Sequence, residues 1–98
     1  MPNFFEHIQN DKPVLVDFFA TWCGPCQAMP AILKDVKSHF GNTITILKVD
    51  VDKNPELAQQ YKIRGVPALM IFKKGQVLWK QSGVMQAAAL IETLKPMV

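Results

Sequence analysis

Val14-Leu15-Val16-Asp17-Phe18-Phe19, followed after Ala20-Thr21 by Trp22-Cys23-Gly24-Pro25-Cys26, is the stretch that decides the fold. Val14 to Phe19 is apolar on both faces, the pattern of an interior strand in a mostly parallel sheet. Asp17 is its one polar member. Pro25 suits the first turn of a helix, where its missing N–H costs nothing. Met29, Ile32, Leu33, Val36 and Phe40 then recur at helical spacing on one face. Gly41-Asn42 closes that helix. Both cysteines therefore fall where a strand ends and a helix begins, the end at which open α/β sheets put their sites.

Working outward, Asn3 to Gln9 reads as a short helix, its start marked by Pro2-Asn3, and Asn10 to Pro13 as a turn. Thr43 to Asp50 is a second strand. Asn54-Pro55 resembles an N-cap followed by a first-turn proline, opening a short helix to about Tyr61. Ala68 to Phe72 is an apolar strand, Lys73-Lys74-Gly75-Gln76 a hairpin turn, and Val77 to Gln81 a partly exposed strand. From Gln86 a last helix carries Ala87, Leu90, Ile91 and Leu94 on one face. The early alternation predicts parallel pairing through right-handed crossovers, to which the hairpin adds an antiparallel strand. The expected fold is α/β: a mixed four-stranded sheet with helices on both faces, one domain over residues 1–98.

Composition supports a packed core. Apolar residues make up 49% and charged residues 19% of 98, which excludes a disordered chain. No apolar run approaches the ~18 residues of a membrane span. The start, MPNFFEHIQNDK, has no basic leader pattern, so a cytoplasmic location is expected. The net charge of +3 comes from scattered lysines with a single arginine, Arg64. Nucleic-acid binders cluster basic residues and rely on arginine, so that class is excluded.

Two cysteines are too few for a disulfide scaffold. Cys23 and Cys26 admit three readings. A structural disulfide across so short a loop contributes only about 2 kcal/mol and tends to open in a reducing cytoplasm. Half a zinc site lacks partners, because His7 and His39 lie in different elements without ligand spacing. The redox reading is favoured: a helix N-terminus stabilises a thiolate, and strand–CxxC–helix is a redox signature. On this reading Cys23 sits at the N-cap or just before it, and Cys26 inside the first turn and more buried. Asp17, amid apolar neighbours, is expected to have a raised pKa and to take a proton from Cys26. The alternative is a solvated or satisfied aspartate.

The chain resembles the thioredoxin family. The resemblance rests on Trp22-Cys23-Gly24-Pro25-Cys26, on Asp17 in the preceding strand, and on Arg64-Gly65-Val66-Pro67 before an apolar strand ending Phe72-Lys73-Lys74-Gly75. It runs from about Val14 to the C-terminus and implies a three-layer sandwich. It implies a protein-disulfide reductase that works by dithiol–disulfide exchange, with Cys23 attacking and Cys26 resolving. The pair itself serves as redox-active disulfide, with no metal and no bound cofactor. Such proteins serve electron transport and cell redox homeostasis, with electrons from an NADPH-dependent thioredoxin reductase. The expected partners are disulfide-containing proteins and that reductase, with no nucleic acid, no membrane and a monomeric chain.

The resemblance also assigns residues. Lys48 matches a lysine near the buried aspartate, the alternative being a strand lysine reaching solvent. Pro67 matches a cis-proline opposite the cysteines, and Val66 offers its backbone to an extended substrate. Gly65 and Gly83 leave room for a partner, although Gly83 also reads as a turn glycine. Trp22, Gly24 and Pro25 complete the expected docking surface, core packing being the alternative for Trp22. A binding module that ignores redox state, and an isomerase or oxidant of the same fold, remain open as other functions.

Two departures stand out. Only 13 residues precede Val14, so the family's first strand is expected to be absent, opening an edge remote from the cysteines. Pro30 also falls one position earlier than usual. An interior proline leaves the carbonyl four residues back unpartnered, here that of Cys26, which is expected to alter the resolving thiol's surroundings and the redox potential.

Overall fold

The computed structural model describes residues 3–98, so the Pro2 part of the first helix signal lies outside it. The elements run α1 (Phe4–His7), β1 (Val14–Phe19), α2 (Met29–Phe40), β2 (Thr45–Asp50), α3 (Pro55–Gln60), β3 (Ala68–Lys73), β4 (Gln76–Ser82) and α4 (Ala87–Leu94). The strands form one mixed sheet in the order β2-β1-β3-β4. This is the predicted element order, and β1 has its predicted bounds.

The pairing differs from expectation at β3. β1 and β2 are parallel, but β3 runs antiparallel to β1, and β4 antiparallel to β3. Phe18 of β1 pairs with Val49 near the end of β2 and with Ala68 at the start of β3, so β3 starts at the end where β2 stops. That end also holds the cysteines, so the loop before β3 enters the site.

Alternation along the central strands divides the core in two. On one face Val14, Val16 and Phe18 of β1 and Ala68, Met70 and Phe72 of β3 meet Phe4 of α1 and Leu57 of α3. Phe4, Phe18, Tyr61 and Phe72 form an aromatic cluster there, with Phe4 and Phe72 edge-to-face at 5.8 Å. On the other face Leu15, Leu69 and Ile71 meet Met29, Leu33 and Val36 of α2 and Leu90 and Leu94 of α4. The predicted α2 and α4 stripes are thus core. Burying each large side chain contributes about 1.5–3 kcal/mol.

Local chemistry sets the boundaries. Gly41, at φ +58°, ends α2. Lys74 and Gly75, both at positive φ, close the β3–β4 hairpin as a two-residue turn. Asn54 occupies the cap position of α3 without a side-chain cap bond; its Nδ2 donates to the Asp50 carbonyl instead.

Pro30 behaves differently from expectation. Residues Pro25–Ala28 form a 3-10 turn, and α2 proper starts at Met29, which places Pro30 in a first turn. The Met29 N–H donates to the Cys26 carbonyl, so that carbonyl is not left free. A 3-10 bond reaches three residues back rather than four, which bypasses the N–H that proline lacks. The premise for a Pro30 effect on potential through a freed Cys26 carbonyl is therefore removed.

Candidate active site

β1 delivers the site. Its last residue, Phe19, leads through Ala20-Thr21-Trp22 into the 3-10 turn, and the Cys23 N–H donates to the Ala20 carbonyl at 3.2 Å. Cys23 and Cys26 are disulfide-bonded, with Cα atoms 5.3 Å apart. Gly24 is the N-cap of the turn, so Cys23 holds the position just before it. The Cys26 N–H points at Cys23 Sγ, 3.1 Å away. That donor supplies local positive potential to the sulfur, which favours a thiolate there once the pair is reduced.

The expected difference in burial is not seen. Cys23 is 4% exposed and Cys26 6%. Ala20, Phe19, Val51 and Val66 surround the two sulfurs as an apolar collar, so Cys23 is covered as fully as its partner. Cys23 Sγ also lies 3.5 Å from the Val66 carbonyl oxygen.

Val66 precedes Pro67 through a cis peptide bond, as the resemblance implied. The Gly83 N–H donates to the Pro67 carbonyl at 2.8 Å, fixing the end of β4 to this turn. Gly83 sits at φ +95°, a conformation that favours glycine. Gly24, Gly65 and Gly83 are exposed, and a Cβ built at any of them meets nothing within 4 Å. Pro25 is exposed as well. Trp22 is 72% exposed, so it is not core. Its Nε1–H donates to Asp52 Oδ2 at 2.8 Å. Asp52 carries no sequence signal, because it meets Trp22 only through the fold.

Asp17 lies beneath the cysteines, 2% exposed. It shares a cavity of about 220 Å³ with Cys26, lined also by Thr21, Gln27, Pro30 and Lys48. Its Oδ1 is buried without a hydrogen-bond partner. Burial pushes the carboxyl from 3.8 up to about 6, while the Lys48 charge pulls it down. Thus the raised pKa expected from the strand pattern holds, and its cause is desolvation. Lys48 itself is exposed, so it reaches solvent while acting on Asp17 at a distance. Among the described residues, no group of three His, Cys, Asp or Glu side chains is placed to hold a metal ion. No helix among them is long and apolar enough to cross a membrane.

A redox-bonded pair at a strand-to-helix junction, over a buried aspartate and against a cis-proline, is the arrangement that the sequence resemblance implied. Comparison with known proteins agrees. The thioredoxin family model matches residues 1–96.

This chain belongs to the thioredoxin family.

A thioredoxin-like protein of Synechocystis sp. is 50% identical over 98% of this chain and 92% of its own length. The chloroplastic thioredoxin Y2 of Arabidopsis thaliana is 43% identical over 95% of this chain and 56% of its own length. A bifunctional thioredoxin reductase/thioredoxin of Mycobacterium leprae is 39% identical over 97% of this chain but only 21% of its own length. With its Cys23–Cys26 pair, the chain is a dithiol–disulfide oxidoreductase of this family.

Proposed function

We propose that this oxidoreductase works as a reductase of protein disulfides, acting as a single monomeric domain over residues 1–98. The observation that carries the reading is the Cys26 N–H aimed at Cys23 Sγ, a donor that supports Cys23 as the thiolate once the pair is reduced. In the dithiol form the Cys23 thiolate attacks one sulfur of a substrate disulfide. A Cys23–substrate mixed disulfide forms and the other substrate sulfur leaves as thiolate. Cys26 then gives its proton to the Asp17 carboxylate across their shared cavity and attacks Cys23 Sγ. The second substrate thiolate leaves, and the Cys23–Cys26 disulfide closes. Two electrons pass to the substrate, whose two thiolates take up protons. Lys48 keeps Asp17 ionised often enough to accept the proton.

The proposed docking surface is Trp22, Gly24, Pro25, Gly65, Val66 and Gly83, with Pro67 buried behind Val66 and setting its turn. It is open at the three glycines, and it offers the Val66 main chain for pairing with an extended substrate segment. A thioredoxin reductase using NADPH is the proposed electron source, in support of which one relative carries reductase and thioredoxin in a single chain. The proposed location is the cytoplasm, because net reduction of protein disulfides is favoured where thiols are kept reduced. There the protein would serve electron transport and redox homeostasis.

Reduction of insulin by dithiothreitol tests the reading. Wild type accelerates it, and Cys23→Ser abolishes the acceleration. Equal rates for the two proteins would refute the assignment.

A further inference from the structure

The β2 edge of the sheet borders the exchange site at Lys48 and extends from there along α2. β2 has β1 on one side and no strand on the other among the described residues. The Thr45 N–H bonds to the Pro13 carbonyl and the Val51 N–H to the Phe19 carbonyl. Odd-numbered residues of this stretch therefore turn their main chain toward β1. By the alternation of a parallel ladder, Ile46 and Lys48 turn theirs outward.

The side chains along this edge are divided by charge. Leu47 and Val49 face the α1/α3 core, whereas Ile44 and Ile46 face the α2/α4 core. Lys48 follows Ile46 to the α2 side. There a groove of about 390 Å³ runs between α2 and β2, floored by Leu33 and Ile46 and rimmed by Lys34, Lys37 and Lys48. The one ion pair among the described residues joins Lys95 to Glu92, so no carboxylate is paired with any of these three lysines. Lys37 Nζ donates to the Ile44 carbonyl at 2.7 Å, which holds one cation at the strand end.

We propose that this edge docks an extended acidic segment of a partner protein, added as a fifth strand beside β2. Main-chain bonds to Ile46 and Lys48 supply the pairing. Residues opposite Ile46 and Lys48 fall on the α2 side, within reach of the lysine rim, and are acidic. The residue opposite Leu47 falls on the other side and is apolar, since directly opposite side chains share a face. The recognised pattern is acid–apolar–acid. The opposite sheet edge, β4, exposes Val77 and Leu78 and carries a single lysine, Lys80, whose Nζ is held by the Tyr61 carbonyl.

The test uses the full chain and two short capped peptides, Thr-Glu-Val-Glu-Val-Glu-Thr and its Lys-for-Glu counterpart, followed by backbone amide NMR and hydrogen exchange. The glutamate peptide is expected to shift and protect the Ile46 and Lys48 amides, and to bind more weakly as salt rises. Lys34→Glu is expected to weaken it, and Lys34→Glu/Lys37→Glu to weaken it by about fivefold or more and to favour the lysine peptide. Lys34 is exposed and makes no bond that the fold needs, so the single variant remains informative if the double variant misfolds. Equal binding of the two peptides, or no binding at millimolar concentration, would overturn the proposal and leave the lysines as guards of an open edge. Shifts confined to β4 would overturn it as well. So would concentration-dependent shifts at Ile46 without peptide, which assign the edge to a second copy of this chain.

Discussion

Asp17 on β1 and Lys48 on β2 are direct partners in the parallel register, yet no ion pair joins them. Asp17 points into a buried cavity, whereas Lys48 reaches solvent. The lysine acts through its field alone, lowering a pKa that burial has raised to about 6. Lys48→Met is therefore expected to lift the Asp17 pKa above that value. Carboxyl ¹³C titration of the disulfide form reads this directly, and an unchanged midpoint would show that the lysine has no influence.

The same burial fixes how stability depends on pH. The folded carboxyl holds its proton up to about 6, whereas 3.8 is the ordinary value. Between these values the unfolded state is the more ionised, so stability falls as pH rises through that window. The contribution is fully present below 3.8 and lost above about 6. Asp17→Asn removes the slope. At pH 8 it is expected to stabilise the oxidised protein by up to roughly 3 kcal/mol relative to wild type, with little gain at pH 3.5. Urea unfolding at the two pH values checks this; an equal difference at both would exclude burial of the charge as the cause.

These quantities follow from one residue that was legible in the sequence. An aspartate in an otherwise apolar run announces a buried charge whatever the fold. β1, the α2 and α4 stripes and the hairpin were legible for a similar reason, because local periodicity and turn chemistry decide them. The direction of β3 was not, since the stretch between Asp50 and Ala68 is long enough for either pairing and no local pattern chooses between them. Nor was the rescue of the Cys26 carbonyl, because the 3-10 turn before α2 changes which amide reaches it. The bond from Trp22 to Asp52 was hidden too, for the two residues meet only when the loops after β1 and β2 come together.

That bond yields a further prediction. The indole is 72% exposed and its one polar group is held by Asp52 Oδ2 at 2.8 Å. Asp52→Ala frees the ring to sample other rotamers beside the proposed docking surface. Stability should change by less than about 1 kcal/mol, as for other exposed sites. The KM for a protein disulfide should rise about two- to fivefold, with kcat nearly unchanged, because ordering the ring then opposes binding. Steady-state insulin reduction separates the two constants. A fall confined to kcat would place the role of Asp52 elsewhere.

Lys80 anchors the loop on the far side of the site. From β4 its Nζ donates to the Tyr61 carbonyl at 2.6 Å and approaches the Lys62 carbonyl at 3.4 Å. Lys62 sits at φ +56°, a conformation that side chains disfavour and that surrounding contacts must hold. Lys80→Met is expected to speed amide exchange at Ile63, Arg64 and Gly65 by about fivefold or more, in line with the loss of a hydrogen bond from a charged donor. Lys80→Arg should largely restore protection. Equal exchange in all three proteins would mean that the loop is held by packing alone.

Gly24 and Gly83 separate docking from stability. Both are exposed, and both have room for a Cβ. Gly24 is at φ −59° and ψ −54°, where alanine is unstrained. Gly24→Ala should stabilise the fold by about 0.5 kcal/mol by restricting the unfolded chain. Gly83, at φ +95°, forces alanine into strain, so Gly83→Ala should destabilise by about 1–2 kcal/mol. Either methyl would stand on the proposed docking surface and impede a substrate backbone. A slower insulin reduction in Gly24→Ala, whose stability is raised, would therefore isolate the loss of docking from any loss of folding. Denaturant unfolding and steady-state rates on both variants decide it, and wild-type rates for Gly24→Ala would remove Gly24 from the surface.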